Sequence, residues 1–252
     1  MLVAIFCASC QFKLDKAEDD KADETLAIER FDRLQCRYFT TGDYAALQQM
    51  NTQYPTETRT LIENFLQLGE VNDPDINSRL LSFYQDSVLQ QVLSEVQLQY
   101  ADMSDVSQSL SNAFQKMRRL MPNVPTPHVY TQIGALSQSI IVSDTVIGIS
   151  LDKYLGEDYQ PYAPFFDEEE RQTMTRANIV PDCVLFYLLS VFPLKDFENR
   201  TYEEREDHLG RVMWATNQIV GKTHFKTPEV KKAAEYVRQH PHTSVLKMLA
   251  IG

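Results

Sequence analysis

A chain of 252 residues with 43% apolar side chains can bury one sizeable core, which excludes intrinsic disorder and makes a single domain the default. A net charge of -11 and a pI near 4.9 exclude the broad basic surface that a phosphate backbone demands, so no nucleic acid partner is expected. No run approaches the roughly 20 consecutive apolar residues of a membrane-spanning helix.

The first residues read as the end of a bacterial lipoprotein signal. Met1 to Ser9 (MLVAIFCAS) is apolar and uncharged, small Ala8 and Ser9 precede Cys10, and the chain then turns polar through Lys13, Asp15, Lys16, Glu18, Asp19 and Asp20. A basic segment is missing ahead of the apolar run, and Cys7 stands where Leu is usual. The expectation is a lipid on Cys10, residues 1–10 as signal remnant, 11–23 as a charged tether and 24–252 as one folded domain. A frayed apolar terminus on a cytosolic protein is the alternative. Cys36 and Cys183 are expected as buried free thiols, with a disulfide between them as the other option.

Beyond the tether, Ile28, Phe31, Leu34 and Tyr38 recur at helical spacing and predict a first amphipathic element, interrupted at Thr41-Gly42-Asp43. Tyr44, Leu47 and Met50 define a second helix that ends before Pro55. Leu61, Ile62, Phe65 and Leu68 define a third, with Gly69 as its C-cap. Asp73-Pro74 reads as an N-cap and first helical residue, and the stripe Ile76, Leu80, Phe83 can continue through Leu89, Val92, Leu93 and Val96 to Tyr100. Ser104 or Asp105 caps a helix carrying Val106, Leu110, Phe114, Met117 and Leu120, closed by Met121-Pro122.

The pattern then changes. Pro122, Pro125 and Pro127 keep the chain extended, and Val129–Ile133, Ser139–Val142 and Val146–Ser150 are short and β-branched. With turns at residues 134–137 and 143–145, they predict a small antiparallel β-meander over about 127–150. An acidic, aromatic loop runs from Glu157 to Phe166, and the acids 167–170 suit a helix start. The most apolar helix begins near Ile179-Val180-Pro181-Asp182 and ends at Pro193; apolar on nearly all sides, it should be central. Thr201-Tyr202-Glu203-Glu204 is a capping box, Thr227-Pro228 starts another helix that His240-Pro241 ends, and Val245–Leu249 is a last amphipathic turn. The fold class is α+β: a mainly helical single domain around the meander.

Chemistry is not legible in these residues. The five histidines include no i,i+4 pair, so no HExxH zinc helix can be written, and neither GxSxG nor a phosphate-cradling glycine loop occurs. No catalytic residue, metal ligand or cofactor is therefore predicted. Asp144 and Asp152 bracket the last strand, where a turn Asp and a helix-start Asp have ordinary hydrogen-bonding roles. The basic groups at residues 116–119 and Lys231-Lys232 read as solvated helix faces. As an interaction surface the residues singled out are Asp144, Asp152, Tyr154, Tyr159, Tyr162 and Asp182.

The run from Ile140 to Asp158, with Leu151-Asp152-Lys153-Tyr154-Leu155-Gly156 at its most specific, resembles the GldB family of gliding-motility lipoproteins of the Bacteroidetes. Ile179-Val180-Pro181-Asp182 follows at a fitting distance, and Ile28-Glu29-Arg30-Phe31-Asp32 looks like the start of that family's folded domain. The similarity read this way covers about a third of the chain and departs from the pattern beyond Phe192. The resemblance implies a lipid-anchored cell-envelope protein with Cys10 at the lipidated position, membrane contact through that lipid, and partners among envelope proteins of the gliding or secretion machinery. It also implies distant kinship with zinc-peptidase-like folds in a degenerate form, because the helix from Val180 carries no His. A non-enzymatic role through protein contacts is the leading expectation; a metal-dependent hydrolase with an unrecognised site, or a peptide- or small-ligand-binding lipoprotein, is the alternative.

Overall fold

The computed structural model describes residues 26–143 and 145–251; Cys10, the tether at 11–23 and Asp144 lie outside the described residues. The domain opens with a two-residue strand, β1 (Ile28–Glu29), before α1 (Phe31–Thr41). Ile28 thus belongs to the sheet and not to the first helix, because its backbone pairs with Val129. α2 (Tyr44–Gln53) starts at Asp43, whose carboxylate accepts the Ala45 and Ala46 N–H groups. α3 (Pro55–Arg59) carries Pro55 at its first position and widens into a π-turn over Thr60–Phe65.

Gly69 does not cap that helix. The turn has already ended at Leu66, and Gln67 takes the left-handed backbone with φ 50°. α4 (Ile76–Phe83) starts two residues after Pro74, while the Asp73 carboxylate receives Arg79 at 3.2 Å. The apolar stripe that follows is not one helix. Asp86 accepts the N–H groups of Val88 and Leu89 and starts α5 (Ser87–Gln99) afresh. Ahead of α6 (Ser104–Leu120) the carboxylate of Asp102, neither Ser104 nor Asp105, accepts the Ser104 N–H at 2.9 Å.

The sheet contains β1, β2 (His128–Gln132), β3 (Ile140–Ser143) and β4 (Val146–Ser150) in the order β1-β2-β4-β3. The expected antiparallel meander is corrected here. β3 and β4 do form an antiparallel hairpin, but β2 pairs in parallel with β4, and β1 in parallel with β2. The connection from β2 passes over to the outer edge, and β4 returns into the middle. Strand order is a non-local property, so alternation within each strand does not encode it. At the β2–β4 pairing Tyr130 faces Gly148, and a Cβ on Gly148 would sit 2.5 Å from the Tyr130 ring. The ring therefore lies directly over the neighbouring backbone.

The helices after the sheet follow the expected pattern. α7 (Glu168–Thr173) has a capping box of Asp167 and Glu170, and α9 (Tyr202–Val220) one of Thr201 and Glu204. α8 (Ile179–Val191) is central as expected, packed against β3, β4, α6 and α9. α10 (Pro228–Gln239) and α11 (Val245–Leu249) lie on α9. One continuous core runs from Phe31 to Leu249, giving a mainly helical α+β single domain. Cys36 and Cys183 are both buried and free. Among the described residues no helix is long and apolar enough to cross a membrane.

Candidate functional site

β2 and β4 run in parallel, so their C-terminal ends come together, and buried polar residues cluster around them in several hydrogen-bonded groups. Past β4 the chain tightens into a 3-10 turn at Leu151–Lys153, which turns the Asp152 side chain fully inward. Its carboxylate accepts the Gly134 N–H at 2.9 Å and the Leu136 N–H at 2.6 Å. Ala135 and Leu136 both hold positive φ, 52° and 63°, which side-chain-bearing residues adopt at a cost. Asp152 thus fixes an unfavourable loop by filling a nest of backbone donors. Burial pushes its carboxyl above the ordinary range against the opposing pull of those two N–H groups.

The residue that follows β2 is held just as firmly. Gln35 on α1 accepts the Ile133 N–H at 2.8 Å and donates to the Ile133 carbonyl at 3.2 Å, and the Tyr84 hydroxyl donates to the same carbonyl at 2.8 Å. The Gln132 amide donates to Ser150 Oγ, while its buried Oε1 has no hydrogen-bond partner among the described residues. One turn earlier, at the start of α1, Arg30 grips the buried Asp32 with two bonds of 2.8 and 2.7 Å, and Thr131 donates to the same carboxylate. Arg30 also donates to the Tyr100 carbonyl at 2.8 Å.

Tyrosines extend these groups outward. The Tyr100 hydroxyl donates to the Tyr154 carbonyl, and the Tyr154 hydroxyl donates to Asp182 Oδ2 at 2.9 Å in the first turn of α8. Burial pushes the Asp182 carboxyl up to about 7, partly offset by that hydroxyl. The Tyr162 hydroxyl donates to the Asp152 carbonyl at 2.6 Å and accepts the Leu155 N–H at 2.9 Å. Tyr159 packs edge-on against Tyr162, 5.0 Å between centroids; burial pushes its own hydroxyl up to about 12.

The structure therefore pairs Asp152 with Tyr162 and, beside them, Tyr154 with Asp182, with Tyr159 stacked on Tyr162. As a surface the set is corrected. Asp152, Tyr154 and Tyr162 are 0%, 1% and 0% exposed, which leaves Tyr159 and Asp182 as the partly accessible members, with Asp144 outside the described residues. Sequence reading missed Asp32, Gln35 and Thr131 as partners. The signal available was polar side chains inside apolar elements, Thr131-Gln132 in β2 and Gln35 in α1. It also missed a groove of 640 Å³ between α6, the start of α8 and the end of α9. Among the described residues no three His, Cys, Asp or Glu side chains converge as ligands for one ion.

Fold and site together define a mainly helical α+β domain whose signature residues hold its own small sheet in place. A family model described as gliding motility protein GldB matches residues 13–228, and the chain belongs to that family. The match extends well past Phe192, so the segment read as departing from the pattern is part of it through residue 228. No curated protein and no solved structure matches the chain.

Proposed function

We propose that this protein is anchored to a bacterial membrane by a lipid on Cys10 and serves gliding or the associated protein secretion by contacting other envelope proteins, without catalysing a reaction. The observation that carries the reading is the extent of the family match, which begins at residue 13, three residues past Cys10 and at the first charge of the polarity switch. The site supports it from a second direction. Asp152, Tyr154 and Tyr162 already have internal partners that build the loop at 134–136 and the turn at 151–155, so their chemistry is structural.

Growth with a clickable fatty acid tests the anchor. Label on the wild-type chain that is lost in Cys10→Ser supports it, and label that persists on the variant overturns it. The protein-contact role is tested by isolating the full chain from detergent-solubilised envelopes. A reproducible stoichiometric partner is expected; a chain that stays alone while binding stoichiometric zinc, and loses thermal stability on chelation, would overturn the reading in favour of a hydrolase.

A further inference from the structure

We infer that the groove between α6, the start of α8 and the end of α9 receives an acidic segment of a partner protein. The inference rests on the protein-contact reading above and names where the contact is made. The floor of the 640 Å³ groove is apolar, with Val106, Ala113, Val180 and Ile219, and two ammonium groups, Lys116 and Lys222, stand on its rim.

Charge decides the occupant. The one carboxylate lining the groove with an ion-pair partner is Asp105, closed by Arg176 at 2.6 Å; Arg176 also donates to the Gln99 and Asp102 carbonyls, so that pair is neutral and fully engaged. Lys116 and Lys222 have no ion-pair partner among the described residues. The chain as a whole has 35 acids against 24 Lys and Arg, so two unpaired cations beside one groove run against its overall balance. α6 follows the same inversion: Asp105 is its one acid, against Lys116, Arg118 and Arg119.

The Lys116 ammonium and the backbone that carries Lys222 are both positioned. The Lys116 ammonium lies 3.6 Å from where a Cβ on Gly221 would be, beside the C-terminal end of α9, whose partial negative charge favours a cation. Lys222 belongs to a loop tied by Asn217, which accepts the His224 and Phe225 N–H groups and donates to the Phe225 carbonyl. A partner that fits carries Asp or Glu spaced around one or two apolar side chains, which enter the floor while the carboxylates meet the ammonium groups. A concave site between three helices suits a polypeptide better than a flat anionic bilayer.

The test is zero-length coupling with a water-soluble carbodiimide on envelopes containing the full chain, followed by peptide mass spectrometry. The expected product joins Lys116 or Lys222 to an Asp or Glu of one recurring second polypeptide. The double variant Lys116→Arg, Lys222→Arg keeps the charge without the primary amine, so it should lose the adduct and keep the co-purifying partner. Lys116→Glu, Lys222→Glu should lower that partner at least tenfold while the thermal unfolding midpoint falls by only about 2–4 °C, the cost of losing the Lys116 cation at the end of α9. Adducts only to this chain's own carboxylates overturn the inference, as does a charge reversal that weakens sedimentation with phosphatidylglycerol vesicles and spares the partner. A partner retained by the Glu variant overturns the groove and leaves the protein-contact reading standing; no partner with any variant overturns both.

Discussion

At the scale of single residues, Asp182 and Asp152 show how one side-chain type takes two roles. Asp182 is half-buried, and its carboxyl is raised from 3.8 to about 7. Between these values the folded chain holds a proton that the unfolded chain has released, so this group's contribution to stability falls as pH rises from about 4 to 7 and stays low above it. Asp182→Asn keeps an acceptor for the Tyr154 hydroxyl and removes the titration. Thermal melts across pH should therefore show the variant gaining on the wild type from pH 4 to 8; parallel curves would contradict this. Asp152 has backbone partners that no other group replaces. Asp152→Ala strands the Gly134 and Leu136 N–H groups, at about 1–3 kcal/mol each, and frees a loop with two left-handed residues. Denaturant titration should show that loss, and hydrogen exchange should place the new opening at 133–137.

At the scale of elements, the junctions carry the constraint. Gly148 allows the Tyr130 ring to lie over β4, so Gly148→Ala should destabilise by roughly 1–3 kcal/mol through overpacking, and truncating the ring with Tyr130→Ala in the same chain should relieve the steric part. Asp32→Ala leaves Arg30 without its carboxylate at the β1–α1 junction and should cost about 3 kcal/mol, measured by urea unfolding. These junctions also mark how far the sequence could be read. Helix starts were legible at Thr201 and Asp167, where the capping signal is complete within four residues, but not at Asp86, whose cap falls inside a continuous apolar stripe. β1 was not legible. Two residues have no period, and their place depends on β2, about a hundred positions away. The candidate site was legible as a motif, Leu151 to Gly156, but not as an interior. Burial of Asp152 depends on the loop at 134–136 closing over it, a contact no local pattern announces.

At the scale of the whole molecule, one core links the sheet to every helix layer, so unfolding should be a single cooperative event. Trp214, the one tryptophan, is buried in α9 far along the chain from β1. Its fluorescence and the far-UV circular dichroism should change at the same urea concentration; separate midpoints would show that α9 to α11 form an independent unit. The chain's charge of -11 also bears on this scale, since self-repulsion is screened by salt. The same salt weakens contacts made through Lys116 and Lys222, so partner binding and domain stability should respond to ionic strength in opposite directions.

The strand order has a further consequence for how the chain is made. β4, latest of the four in synthesis, sits between β2 and β3 and joins them. Until residue 150 has left the ribosome, β2 shows one bare flank and the hairpin's future centre is missing, while α1 to α6 can already collapse. A nascent chain that has emerged only as far as about residue 145 is thus a helical body with an unsaturated strand. That interval, more than any in the finished molecule, is when it is most open to a chaperone or to mispairing.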